Sequence, residues 1–550
     1  VPVSRLRARV RPPRVLALDL SQPVTDAPPG GLVGRLSGPK RPQLRDVLEV
    51  LEAAAADPRV RVLHARVDQP AASWAHAEEL REAVAAFRRS GKPALAHAQS
   101  FGEAGDGTLS YFVAAAFDEV WLQPSGEVGL VGVAREERFL ADMLDKLDVR
   151  PELDRRHEYK TAANVATHRE FTDAHREFAD RMVESHYEHL VAGVGGDRSL
   201  SHEAVTALVD RAPIAAEEAR DAGLVDRLAY RDEVVAESKQ RAGEGAQVTT
   251  LAAYRSLVRR RQLRPGRRTT VALVHGHGAI QAGRNRRSMM GPVMGSDTVT
   301  LGFQQAIRDK KVRAICFRVD SPGGSAVASD AVWRAVARAR EAGKPVVVSM
   351  GSVAGSGGYW VAMGADRIVA AHGTLTGSIG VVSGKFVLRG LRERLGITSD
   401  AVERGAHARM FSTEQSFSDD EWEQVQAFLD RVYDEFVRKV AEGRAMSPEE
   451  VHEHARGRVW TGADAAERGL VDRLGGYRAA FATVRQLVGL PTDARLRVRV
   501  LPRQSLAERL GIKQSDFDDA RAVARELGAA LRGAGLDAGV VRMSGDAARD

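Results

Sequence analysis

Ser356 lies in Gly355-Ser356-Gly357-Gly358-Tyr359, shortly after an apolar run that ends near Met350. A serine among glycines on a strand-to-helix turn exposes its Oγ. The following backbone N–H, on Gly357, is then available to an oxyanion. Taken alone, such a sequence is also ordinary turn chemistry. A second glycine motif strengthens the reading. Ser321-Pro322-Gly323-Gly324-Ser325 follows the apolar run Ala314–Val319 and precedes a helical period. Paired glycines there let a backbone N–H approach a reacting carbonyl.

A serine needs a base to become nucleophilic. The chain has 15 histidines, and none sits in a persuasive constellation. His275-Gly276-His277 falls at a strand end without adjacent carboxylates at metal-ligand spacing and reads as structural. In His452-Glu453-His454 the i,i+2 spacing turns the two rings to different helix faces. The other candidate base is Lys160, in His157-Glu158-Tyr159-Lys160-Thr161-Ala162. A lysine acting as a base must be neutral near pH 7, which requires burial beside apolar groups. An isolated lysine is normally a solvated surface residue. What singles out Lys160 is the organisation of the chain.

The sequence is internally repeated. Arg61–Pro70 parallels Arg313–Pro322 at an offset of 252 residues, and Gly91-Lys92-Pro93 recurs as Gly343-Lys344-Pro345 at the same offset. Gly223-Leu224-Val225-Asp226-Arg227-Leu228 recurs as Gly469–Leu474, offset by 246. Three matches in one order at nearly one offset describe two copies of an α/β unit. Strands are expected at Val15–Leu20, Val62–Val67, Ala94–Ala98 and Glu119–Leu122, with counterparts at Val271–His275, Ala314–Val319, Val346–Met350 and Arg367–Ala371. Helices are expected at Leu44–Ala56, Ala75–Ser90, Val299–Asp309 and Ser329–Ala342. This alternation predicts parallel βαβ units. The first copy has Gln69-Pro70-Ala71-Ala72 in place of the glycine pair and Thr108 in place of Ser356. The second copy has Ala408 where the first has Lys160. Serine survives only in one copy and lysine only in the other, so the losses are complementary.

These residues resemble signal peptide peptidase A (protease IV) in its long two-domain form, from about Arg14 to about Pro491. The resemblance rests on Arg318–Gly324, Val353–Tyr359, Leu375–Gly380, Glu158–Ala162 and Val459–Ala465. It implies two tandem ClpP/crotonase-like domains of repeated β-β-α spiral units. It also implies a serine endopeptidase with a Ser/Lys dyad split between them: Ser356 as nucleophile, Lys160 as general base, and Ser378 positioning the lysine. The N–H groups of Gly324 and Gly357 would form the oxyanion hole, with Gly323 an alternative to Gly324. Substrates would be signal-peptide remnants and other extended apolar peptides. The assembly would be a homotetramer at a membrane, and no cofactor or metal is implied. Gly355 departs from the family's common alanine, and the tail beyond Pro502 has no counterpart. Two rivals share the fold. A crotonase-like acyl-CoA enzyme would need a carboxylate base near the glycines; an inactive scaffold would hold Lys160 far from Ser356.

The expected domain limits are 14–256 and 269–502, joined by an arginine-rich linker at 257–268 and followed by a tail, 503–550, that is helical or loose, with Ser515 as a cap for a helix to about Arg532. Composition sets the remaining limits. The 550 residues carry 44% hydrophobic and 28% charged residues, which excludes a mostly disordered chain. The lone cysteine, Cys316, excludes an intrachain disulfide and a cysteine-cluster metal site. The net charge of +7 from 80 basic and 73 acidic residues permits contact with an acidic surface but does not indicate nucleic-acid binding. No apolar run approaches the length of about 18 residues needed for a membrane helix, and Val1–Pro13 lacks the apolar core of a signal peptide. The expected location is therefore membrane-associated by resemblance, with peripheral contact or a cytoplasmic location as the alternative.

Overall fold

The computed structural model describes residues 12–26, 41–262, 268–288 and 291–503. Two units divide the chain: one of residues 1–27 and 41–502, and one of 28–40 and 503–550. The expected tail helix from Ser515 lies outside the described residues, as does the centre of the expected linker.

Both copies build the same sheet. In the first, the strand order is Arg227–Leu228, Glu119–Leu122, Ala94–Ala98, Val60–Arg66, Arg14–Asp19, Gln247–Thr250, all parallel. In the second it is Arg473–Leu474, Arg367–Ala370, Val346–Gly355, Val312–Ser321, Thr269–His277, Leu496–Leu501, again parallel. The central strands of each sheet are short, mostly apolar runs buried on both faces, the pattern of parallel sheets. The duplication extends to side chains. Tyr111 Oη donates to Leu224 O at 2.7 Å, and Tyr359 Oη donates to Leu470 O at 2.9 Å. Arg198 pairs with Asp226 as Arg444 pairs with Asp472. Lys92 bonds carbonyls at the end of the helix Leu44–Ala55, at Ala54 and Asp57, and Lys344 those at the end of the helix Ser296–Arg308, at Ala306 and Asp309.

Two differences from the sequence reading matter for the site. The strand expected to stop at Met350 runs on to Gly355, immediately before Ser356. Its register shifts between Val319 and Ser321, where Asp320 Oδ1 accepts the Val353 N–H at 3.0 Å; Gly351 and Ser352 mask this continuation in the sequence. The first part of the expected linker belongs to a helix, Leu251–Gln262. Tyr254 and Val258, one turn apart, are buried against the core, and Tyr254 Oη donates to Asp57 Oδ2 at 3.0 Å.

The copies share their interior. One apolar cluster runs from Leu16, Leu63 and Val84 of the first copy to Leu273, Cys316, Val347 and Tyr477 of the second. Cys316 is fully buried, which pushes its thiol up to about 12 and leaves it unreactive. The strand Arg150–Arg155 pairs antiparallel with Val382–Val387, matching Arg155 with Val382. This cross-copy ribbon ends five residues before Lys160 and begins four residues after Ser378. Among the described residues, no helix is long and apolar enough to cross a membrane.

Candidate active site

Ser356 joins the strand Val346–Gly355 to the short helix Gly357–Trp360. Its backbone has φ 53° and ψ −120°, a conformation that non-glycine residues rarely adopt. The Ser356 N–H donates to Gly377 O at 2.9 Å, and Ser356 O accepts from the Tyr359 and Trp360 amides, both at 2.9 Å. These bonds hold the turn and its half-buried serine.

Gly377 ends the strand Leu375–Gly377, which pairs with the last residues of the serine strand and, on its other side, with Val459–Thr461. The next residue, Ser378, has φ 50°, and its N–H donates to Arg458 O at 2.7 Å. Lys160 enters from the first copy. Its Nζ lies 3.1 Å from Ser356 Oγ, 3.0 Å from Ser378 Oγ and 2.8 Å from Ser378 O. Lys160 is 4% exposed, and burial pulls its ammonium down from 10.5 to about 7. A neutral lysine amine has two N–H donors and one lone pair. If Ser378 O and Oγ take the two hydrogens, the lone pair faces the Ser356 hydroxyl.

The glycine pair lies against this turn. Gly323 and Gly324 have φ of 102° and 150°. A Cβ on Gly323 would come within 2.7 Å of Gly357 N and 2.8 Å of Ser356 Cβ, and one on Gly324 within 2.2 Å of Ile280 O. The Ala71-Ala72 pair of the first copy therefore could not occupy this loop as it stands. The Gly323 N–H donates to Ser321 Oγ at 3.1 Å. The bridge between Ile280 and Gly324 uses Gly323 O and the Ser325 N–H, so it does not engage the Gly324 N–H. The Gly357 N–H opens a helix and has no intrahelical acceptor.

Thr108, at the serine position of the first copy, opens the helix Thr108–Ala115, and its Oγ1 donates to Gly132 O at 3.1 Å. The histidines stay apart from Ser356 chemistry. Desolvation pulls the half-buried His275 down to about 4. His452 Nδ1 pairs with Tyr433 Oη at 2.9 Å. His277 does meet a carboxylate: Asp320, distant in sequence, lies 3.3 Å away and raises its pKa.

Asp26, His76 and Asp320 offer three ligand atoms within 4.8 Å of one another. Asp26 Oδ2, however, already accepts from Arg318 at 2.7 Å and faces His76 Nε2 at 3.1 Å. Arg318 also reaches Glu79 at 2.6 Å, and Glu79 Oε2 accepts the Tyr477 N–H at 2.7 Å. Burial works against the Asp26 carboxylate, but Arg318 and His76 hold it well below the usual range. The cluster thus reads as a buried ionic junction between the copies.

One residue at the site escaped the sequence reading. Gly457, with φ +85°, packs so tightly on Lys160 that a Cβ there would lie 2.5 Å from the lysine N, Cα and Cβ. The repeat carried a signal for it, because the 246 offset places Arg211 of the first copy at this position.

A serine on a strand-to-helix turn, beside a buried amine and glycine amides, is an arrangement that serine proteases can use. Residues 86–244 and 338–491, one stretch in each copy, match the model of peptidase family S49. The chain belongs to that family. It is similar to "Serine protease SPPA, chloroplastic" of Arabidopsis thaliana, 31% identical over 503 residues covering 90% of this chain and 72% of that one. It is also similar to "Protease 4" of Salmonella typhi, 31% identical over 499 residues covering 86% and 78%. Among solved structures, a ClpP1 mutant from Listeria monocytogenes aligns at 14% identity and a TM-score of 0.25, covering 38% of this chain and 94% of that one.

Proposed function

We propose that this serine protease is an endopeptidase working through a Ser356/Lys160 dyad shared between a first domain, 14–256, and a second, 269–502. The observation that carries the reading is the 3.1 Å approach of a buried Lys160 Nζ to Ser356 Oγ. Neutral Lys160 takes the Ser356 proton as Oγ attacks a peptide carbonyl. The tetrahedral oxyanion accepts from the Gly324 and Gly357 amides; Gly324 is preferred to Gly323 because the latter already donates to Ser321. The C–N bond breaks, and Lys160 returns the proton to the leaving amine. Water, deprotonated by Lys160, then opens the acyl ester and regenerates Ser356. Ser378 fixes the amine through its two oxygens.

From the resemblance carried by its motifs, we further infer that the substrates are extended apolar peptides such as signal-peptide remnants, and that the working form is a homotetramer in peripheral contact with a membrane. The test uses peptide hydrolysis and a fluorophosphonate label. Ser356→Ala and Lys160→Ala should both abolish hydrolysis, and Ser356→Ala should also abolish labelling. Residual hydrolysis by either variant at more than a few per cent would refute the dyad.

A further inference from the structure

We propose that Arg456-Gly457-Arg458 is a positioning strap that sets Lys160 against Ser356 and Ser378 and shields its amine from water. The proposal rests on the dyad reading above. Three independent contacts converge on these residues.

First, the strap joins the two halves of the lysine pocket through its backbone. The Gly457 N–H donates to Ile379 O at 2.8 Å, and Arg458 O accepts the Ser378 N–H at 2.7 Å. The residues flanking Ser378 Oγ are thereby fixed to the strap. Second, Gly457 lies directly on the Lys160 backbone, with no room for a Cβ. Gly380 lies beside Gly457 and further along the lysine stem: a Cβ there would lie 3.3 Å from Lys160 Cδ and 2.8 Å from Gly457 Cα. Third, the two arginines grip the residue before the lysine. The Arg456 and Arg458 guanidinium carbons stand 5.0 and 4.8 Å from the Tyr159 ring centroid. Arg456 pairs with Glu158 at 2.8 Å and Arg458 with Glu177 at 2.8 Å, while Tyr159 Oη donates to Glu177 Oε2 at 2.7 Å. Every one of these arginine contacts runs from the serine-bearing copy to the lysine-bearing copy.

The repeat supports a role beyond packing. The aligned residues of the first copy are Asp210-Arg211-Ala212. The glycine is present only in the strap that has a lysine to receive. The pattern thus adds a third site to the complementary division of serine and lysine. Holding Lys160 dry keeps its pKa low, so loosening the strap lets water reach Nζ and returns the pKa toward its ordinary value.

The experiment measures kcat, KM and the pH profile of kcat/KM for Arg458→Gln, Arg458→Lys, Tyr159→Phe and Gly457→Ala, with the folded fraction measured in parallel. Arg458→Gln should lower kcat by about tenfold to a hundredfold, the scale of a misplaced catalytic group. Its KM should change little, its pH midpoint should move alkaline, and Arg458→Lys should recover part of the loss. Tyr159→Phe should move the same quantities in the same direction by less. Gly457→Ala should be the most severe; should it fail to fold, the arginine and tyrosine variants decide. An unmoved pH midpoint in Arg458→Gln, with activity lost only in proportion to the folded fraction, would overturn the strap. Lys160→Ala separates the two proposals. If it is active, the dyad reading and the strap fall together; if it is inactive while the strap variants behave as the parent, the strap alone falls.

Discussion

The burial of Lys160 makes the strongest quantitative prediction. Its pKa is drawn from 10.5 to about 7 because the ammonium is desolvated inside the junction. With the neutral form as the proposed base, kcat/KM should rise about tenfold between pH 6 and 8 and then level off. An unperturbed lysine would instead give a rise that continues to about pH 10. The same shift must appear in stability. The folded-state pKa lies below the unfolded value, so between about pH 7 and 10.5 the unfolded chain binds more protons at this site. Folding stability from Lys160 therefore increases with pH across that window. Integrating the two titrations from pH 7.5 to 9.5 gives a gain of about 2–3 kcal/mol. Lys160→Met removes the titration while keeping the aliphatic stem. Urea unfolding of parent and variant at both pH values should show the parent gaining about 2–3 kcal/mol relative to the variant. A difference that does not change with pH, or an activity profile without an inflection between pH 6 and 8, would refute a desolvated lysine base.

Other perturbations test the parts separately. Ser378→Ala removes the oxygen 3.0 Å from Lys160 Nζ; a hydrogen bond worth about 1–3 kcal/mol predicts a roughly 5- to 150-fold fall in kcat, read in steady-state kinetics. Gly324→Ala puts a Cβ 2.2 Å from Ile280 O and displaces the proposed oxyanion donor, so kcat should fall by about 10²–10³ with the fluorophosphonate reaction slowed in step. Arg318→Met leaves the buried Asp26 and Glu79 carboxylates without their guanidinium and should lower stability by about 3–5 kcal/mol in urea unfolding; a loss below about 1 kcal/mol would deny the junction a structural role.

Much of this was legible in the sequence because duplication left two readings of the same unit. Strand limits agreed closely at Ala94–Ala98 and Glu119–Leu122, where the apolar run is bounded by turn residues on both sides. They failed at Gly355 because a register shift carries the strand through Gly351 and Ser352, and no periodicity marks such a shift. Ser356 was singled out by the glycines around it, and Lys160 by comparing what each copy kept. Gly457 was open to the same comparison, but a lone glycine beside two arginines carries no local chemical signature. The ionic junction was hidden for another reason. Asp26, Glu79 and Arg318 are brought together only by packing one copy against the other, and no single copy contains the set.

The division of labour between the copies follows from what a neutral lysine requires. A single α/β unit can expose a serine on a strand-to-helix turn, since that needs only its own backbone. It cannot easily surround an ammonium group on all sides, because a lysine near a sheet edge reaches solvent and stays charged. Here the wall around Lys160 is built by Ser378, Gly380 and Gly457 of the other copy, and the ribbon of Arg150–Arg155 with Val382–Val387 delivers the lysine to it. The low pKa is therefore a property of the junction. Drift of the copies apart would restore both water and charge to Lys160, so the proposed base would exist only while the two copies are packed together.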